Sequence, residues 1–215
     1  MILQDLSKLE EAMALLKEVE RICRQLGNLN TLSSSLSNQA NILHNWGKLE
    51  EAILLYKEEE IICRQLGNLN TLSMCLGNQA LILDSWGKLK EAMALFKEQE
   101  RICRQLRNLD TLSGSLGNQA NIFYSCGKLK EAMALLKEVE RICRQTGNLN
   151  TLSISLSSQA NILYKWGKLE KAMALYKEGE RICRQLGNIQ DLSGILANLG
   201  MIHVKKGDQK TGLKY

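Results

Sequence analysis

Residues 21–33 read RICRQLGNLNTLS, a cysteine between two arginines followed by a polar Gly-Asn pair. Close copies begin at Ile61, Arg101, Arg141 and Arg181, always forty residues on. A stretch repeated at a fixed period is either a reactive site written several times or a frame built several times. A fixed internal period is the mark of an array in which each unit packs on its neighbours. Aligned on Gly47, Gly87, Gly127, Gly167 and Gly207, with Ser7 at the equivalent place upstream, the chain divides into alternating segments of about eighteen residues. In the first segment Leu29, Leu32, Leu36, Ala40, Leu43 and Trp46 recur at steps of three and four. In the second, Leu49, Ala52, Ile53, Tyr56, Cys63 and Leu66 do the same. At about 100° per residue each set falls on one helical stripe. Each unit is therefore expected to be a helical hairpin with an apolar core on one face.

The punctuation agrees. Gly67 follows the last periodic residue of the second helix, where a left-handed cap favours Gly, and Asn68 can cap the next helix. Gly47 supplies the turn inside the hairpin. Proline is absent from the 215 residues, so nothing interrupts the helices. One hairpin cannot bury its own stripes; stacking of at least about three must do so.

The unit resembles the tetratricopeptide repeat. Ala40, Leu43, Gly47, Ala52 and Tyr56 occupy the signature positions, Gly and Ala persist through Gly167 and Ala172, and the last copy has Leu199-Gly200. The period is forty rather than about thirty-four. Gly-Asn also replaces the proline that ends the family's second helix. The longer repeat is similar to those of Leu-Gly-Asn-repeat and Pins-type adaptors and of bacterial tetratricopeptide arrays. The resemblance implies an all-α, right-handed solenoid of helical hairpins with about five repeats. We expect a single domain over 1–215: a partial repeat 1–27, repeats 28–67, 68–107, 108–147 and 148–187, and a partial terminal repeat 188–215. Residues 1–6 read as the end of a first helix, and 207–215 as an unfinished second helix with Gly212 where Ala is expected. Either the chain is a segment of a longer array or its uncapped ends associate between copies.

Charge and cysteine usage point to the frame. The net charge of +5 is mild, and in the unit from Lys8 to Asn28 the cations Lys8, Lys17, Arg21 and Arg24 balance Glu10, Glu11, Glu18 and Glu20. No basic stripe is concentrated for phosphates, so nucleic acid is not expected as a partner. No apolar run approaches the roughly eighteen residues of a membrane helix, which points to a cytoplasmic chain with no membrane partner. Glu20 and Arg24 are four apart, as are Glu100 and Arg104, and Glu140 and Arg144, a spacing that supports a helix surface. Five of the seven cysteines, Cys23, Cys63, Cys103, Cys143 and Cys183, share one register and lack metal-ligand spacing. They read as small core residues in a reducing compartment. His44 and His203 cannot make a metal site alone, and no nucleotide or protease motif occurs. The expectation is no enzyme, no cofactor and no metal.

Comparison of the copies shows where they differ. The variable positions, among them the series Ser37, Gly77, Gly117, Ser157 and Ala197, lie opposite the Leu32, Leu36 and Leu43 stripe, on the free face of the first helix. In tetratricopeptide arrays that face lines a concave peptide groove, and the resemblance implies the same here. The candidate groove residues are Asn38, Asn41, His44 and Asn45 in the first full copy and Met74, Asn78, Leu81 and Asp84 in the second. The later copies supply Asn118, Asn121 and Tyr124; Ile154, Asn161, Tyr164 and Lys165; and Asn198, Met201 and Lys205. Asn carries both donor and acceptor, and exposed Tyr, Met, Leu and Ile suit a binding face. Only Lys165 and Lys205 are basic, which argues against a carboxylate clamp and for main-chain hydrogen bonds with a few apolar anchors. Neutral drift between duplicated copies would also produce variation on a free face. The function implied is a protein-interaction scaffold that binds a peptide; the alternative is a structural spacer or self-associating segment of a larger protein.

Overall fold

The computed structural model describes residues 2–207, with side chains from residue 8 onward; the 208–215 segment, with the expected Gly212 position, lies outside the described residues. The described residues form ten helices and no strand: α1 (Ile2–Leu26), α2 (Leu29–Asn45), α3 (Leu49–Leu66), α4 (Leu69–Ser85), α5 (Leu89–Leu106), α6 (Leu109–Ser125), α7 (Leu129–Thr146), α8 (Leu149–Lys165), α9 (Leu169–Leu186) and α10 (Ile189–Lys205). They fall into two compact units, Met1–Arg107 and Asn108–Tyr215. In unit 1, α2 pairs with α3 and α4 with α5, and α2 and α4 also pack on the helices before them, α1 and α3. In unit 2, α6 pairs with α7 and α8 with α9; α8 packs back on α7, and α10 on α9. The even-numbered helices are the first helices of the hairpins (A) and the odd-numbered ones the second (B).

The Gly-Asn junction carries the repeat. At the end of α3, Gly67 takes φ +66°, its amide donates to the Arg64 carbonyl and the Asn68 amide donates to the Cys63 carbonyl at 3.0 Å. This is a Schellman closure, which uses Gly because a Cβ resists the left-handed region. Asn68 then turns capping residue, its Oδ1 accepting from the Thr71 amide at 3.2 Å. One dipeptide thus ends one helix and starts the next. Asn28, Asn108, Asn148 and Asn188 repeat the cap. At the end of α5 the left-handed place belongs to Arg107, with φ 56°, the one described non-Gly residue there.

The apolar stripes meet as expected. Leu32, Leu36, Ala40, Leu43, Ala52, Tyr56 and Cys63 are buried, and all five cysteines of the repeated register lie in the core. Burial pushes the thiols of Cys63, Cys103, Cys143 and Cys183 up, which disfavours the reactive thiolate. The cysteines of RICR are therefore packing residues, and the second arginine, as Arg24, Arg64 and Arg144, links helices. Arg24 pairs with Glu20 on its own helix and with Glu58 of α3 at 2.7 Å; Arg64 repeats this with Glu60 and Glu98, and Arg144 with Glu140 and Glu178. Such exposed pairs are each worth about 0–1 kcal/mol and set register more than stability.

Three expectations are corrected. Ser7 does not turn the chain: α1 runs unbroken from Ile2 to Leu26, because Ser lacks the freedom of φ that glycine brings to the equivalent turns. Leu66, placed on the core stripe, is 37% exposed, since it sits in the last turn beyond the packed part of α3. Gly77, placed on the free face of its helix, is buried. A Cβ there would come within 2.3 Å of the Gln99 amide nitrogen of α5.

The core also contains polar side chains that the stripe omits. Gln39 is 2% exposed; its Nε2 donates to Glu20 of α1 at 2.8 Å, while Ser35 donates to the Leu16 carbonyl at 2.8 Å. Gln79 with Glu60, and Gln159 with Glu140, repeat the pairing at 2.7 Å. These bonds tie α2, α4 and α8 each to the B helix before it, and because both partners are satisfied the polar burial does not cost stability.

Candidate functional site

The eighteen candidate residues all lie on A helices, and none is buried. On α2, Asn38, Asn41, His44 and Asn45 are exposed; on α4, Met74 and Leu81 are exposed, with Asn78 and Asp84 half-buried. In unit 2, Asn121, Ile154, Lys165, Met201 and Lys205 are exposed, and Asn118, Tyr124, Asn161, Tyr164 and Asn198 are half-buried.

Beneath this row lies a second layer, supplied by the B helices. The buried Tyr56 hydroxyl of α3 donates to Asn41 Oδ1 at 2.6 Å and has Asn78 beside it, which gathers asparagines of α2 and α4 around one phenol. Tyr176 of α9 donates to Asn161 at 2.5 Å in the same way. In the intervening copy Phe96 has no hydroxyl, and the asparagine position holds Leu81. Asn41 and Asn161 are therefore committed to the frame. Asn121 is different: the residue below it is Leu136, and among the described residues no protein group hydrogen-bonds the side chain of Asn118 or Asn121.

One turn further along the B helices the copies carry Glu59, Gln99, Val139 and Gly179. Glu59 is 1% exposed, and neither carboxylate oxygen has a hydrogen-bond partner of good geometry. Burial pushes it up to about 7, although Ser37 and Cys75, close beside it, draw it partway back. Gln99 donates to the Ser73 carbonyl at 2.9 Å and fills the space that Gly77 leaves.

In unit 2 this space is open. Leu136 and Val139 are shorter than the Tyr56 and Glu59 of unit 1, and Gly114 and Gly117 have nothing within 4 Å of where a Cβ would stand. A cavity of about 200 Å3 results between α6, α7 and α8. Its floor is Leu136 and Val139, Ile154 forms an apolar wall, and Asn118, Asn121 and Ser158 stand at the polar rim. Nearby, Lys165 lies 4.1 Å over the ring of Tyr124 and Lys205 lies 4.6 Å over that of Tyr164, so α6, α8 and α10 are joined by two cation–π steps. The structure thus brings Asn118, Asn121 and Ile154 to one cavity and Tyr124, Tyr164, Lys165 and Lys205 to one ladder. Asn38, His44, Asn45, Met74 and Asp84 are not drawn into such a cluster. The floor residues were missed because each copy was read along its A helix; the coupled change of positions 41 and 56, repeated as 81 and 96, was the available signal.

Among the described residues no three His, Cys, Asp or Glu side chains gather where a metal could bind. No described helix is long and apolar enough to cross a membrane.

The chain matches no protein-family model and no curated protein sequence. It is similar to solved structures. BtubC (BKLC) from P. vanneervenii shares 19% identity over 96% of this chain and 87% of its own, with a TM-score of 0.81. A putative kinesin light chain from Podosopora anserina, described by its nearly identical TPR-like repeats, shares 16% identity over 84% of this chain and 90% of its own, with a TM-score of 0.66. A signal transduction ATPase with a tetratricopeptide repeat sensor from Pyrococcus horikoshii shares 14% identity over 93% of this chain and 36% of its own, at 0.74. The fold is that of tetratricopeptide-like repeats.

Proposed function

We propose that the chain is a non-enzymatic interaction scaffold whose A-helix face in unit 2 binds an extended peptide segment of a protein partner. The observation that carries this reading is the cavity above Leu136 and Val139. It is bounded by apolar side chains, open through two glycines, and rimmed by amides without protein partners. A cavity of about 150 Å3 accepts a benzene-sized group, so this one accommodates a single large apolar side chain. Asn118 and Asn121 each offer a donor and an acceptor, which matches the main chain of an extended peptide on either side of that anchor. Tyr124 and Tyr164 extend the contact along α6 and α8 as half-buried amphipathic groups. The comparisons with BtubC and the kinesin light chain support a repeat scaffold through the shared fold.

The test uses the frame's own solution to filling the space. In Leu136→Tyr the cavity takes the side chain that Tyr56 and Tyr176 place there, so the fold is expected to persist with unchanged circular dichroism. Peptides selected on the native chain from a random display library are expected to lose at least about tenfold in affinity for Leu136→Tyr and for Asn118→Ala with Asn121→Ala. Selection of no peptide, or equal binding by all three proteins, would shift the assignment to a spacer or self-associating array.

A further inference from the structure

We propose that unit 2 carries a second docking site, on its B-helix side between α7 and α9, for an acidic peptide segment bearing a bulky apolar residue. A cavity of about 420 Å3 opens there, away from the A-helix row. Met133, Leu163 and Leu175 line its apolar part and Trp166, 37% exposed, stands at its edge. Lys137, Lys168 and Lys171 surround it, and no carboxylate lines it. None of the three lysines has an ion pair among the described residues; Lys168 lies 5.2 Å over the Trp166 ring.

The chain contains its own control. The corresponding cavity of unit 1, about 360 Å3, is lined by Met13, Leu43, Trp46 and Leu55, but there Lys17 and Lys48 are matched by Glu20 and Glu51. The change rests chiefly on position 171, which holds Lys where the other copies have Glu51, Glu91 and Glu131. That position is in the first turn of a helix, where the macrodipole favours a carboxylate, so Lys171 gains nothing for α9 itself. The acid that remains in that turn, Glu170, is directed to Lys206 at 3.2 Å and does not line the cavity.

Three cations around one cavity, none of them in an ion pair among the described residues, attract acidic segments and repel basic ones. The apolar interior beneath them adds a demand for an inserted side chain. A flat anionic membrane surface would reach the lysines but leave that interior empty, so the fit is to a peptide.

The experiment is fluorescence anisotropy of the full chain with labelled peptides EELFEE, EEGSEE and KKLFKK. EELFEE is expected to bind, to weaken with added salt, and to lose about tenfold or more in affinity with Lys171→Glu and with Ala174→Phe, which narrows the cavity without altering charge. Glu51→Lys is expected to raise the stoichiometry by creating a like site in unit 1. Circular dichroism checks that each variant keeps its helicity. The proposal is overturned if EELFEE fails to bind, if EEGSEE binds equally well, or if Lys171→Glu leaves the affinity unchanged. Lys171-dependent binding of phosphatidylserine liposomes without binding of EELFEE would likewise overturn it in favour of a lipid-directed face.

Discussion

At one register of the B helices the two units answer the same packing problem differently. In unit 1 the space between an A helix and its partner is filled with polar atoms, the carboxylate of Glu59 and the carboxamide of Gln99. In unit 2 the same place holds Val139 and then Gly179, and above Val139 it stays open. The turns, caps and cysteine register surrounding these positions are alike in both units. A repeat frame is therefore compatible with a buried acid, a buried amide or a cavity at one address, and only the last leaves room for a ligand.

The sharpest way to break this comparison is through Glu59. An unfolded Glu titrates near 4.5, whereas the folded carboxyl is pushed up to about 7 by burial. Between these values the folded state holds a proton that the unfolded state has released, so stability falls as pH rises across that window and levels off above it. At about 1.36 kcal/mol per pH unit the fall is about 3 kcal/mol. Converting Glu59→Gln together with Ser37→Gly reproduces the Gln99 and Gly77 pair, and is expected to remove the slope and restore about that much stability at pH 8. Hydrogen exchange of α3 and α4 amides against pH measures it. An unchanged slope in the double variant would show that Glu59 is not the group responsible.

A second pair of substitutions should change sign between the units. Gly77→Ala directs a Cβ at the Gln99 amide and breaks its bond to Ser73, a loss of about 1–3 kcal/mol against a helix-propensity gain of about 1. Gly117→Ala meets nothing within 4 Å and is expected to stabilise by about 1 kcal/mol. Urea denaturation of both variants decides the matter; equal signs would refute the claim that the two sites differ in what fills them.

The smallest effect concerns the last turn of unit 1. Arg107 holds a left-handed conformation that Gly147 and Gly187 supply in unit 2. Arg107→Gly relieves a cost of about 1–2 kcal/mol in the folded state but adds about 0.4–1 kcal/mol of entropy to the unfolded chain. A net gain of up to about 1 kcal/mol in thermal denaturation is expected, and a loss would indicate that the Arg107 side chain has contacts outweighing its backbone strain.

Much of this was legible because it is local. Asn68 following Gly67 specifies both the closing and the opening turn within a few residues, and the three- and four-residue steps of Leu32, Leu36 and Leu43 specify the packed face. Exposure of the candidate row was legible for the same reason. What could not be read from one helix was its second layer. Asn41, Asn121 and Asn161 each follow Gln-Ala and precede Ile, yet two are bonded to a tyrosine of the following helix and one stands over a cavity. Gln39, a polar residue beside the apolar stripe, proved to be a tie to the preceding helix, and Gly77 an opening for Gln99 rather than a free surface.

The sequence by itself determined the hairpin, its period, its turns and the packing role of the cysteines, because capping and helical periodicity depend on neighbours within a few positions along the chain. The tertiary structure alone decided which asparagines are available, where the acid of Glu59 is buried, and where a cavity or a ring of lysines is left. Those outcomes depend on side chains fifteen to forty residues apart meeting in one small volume, and their fit is a property of the assembled helices.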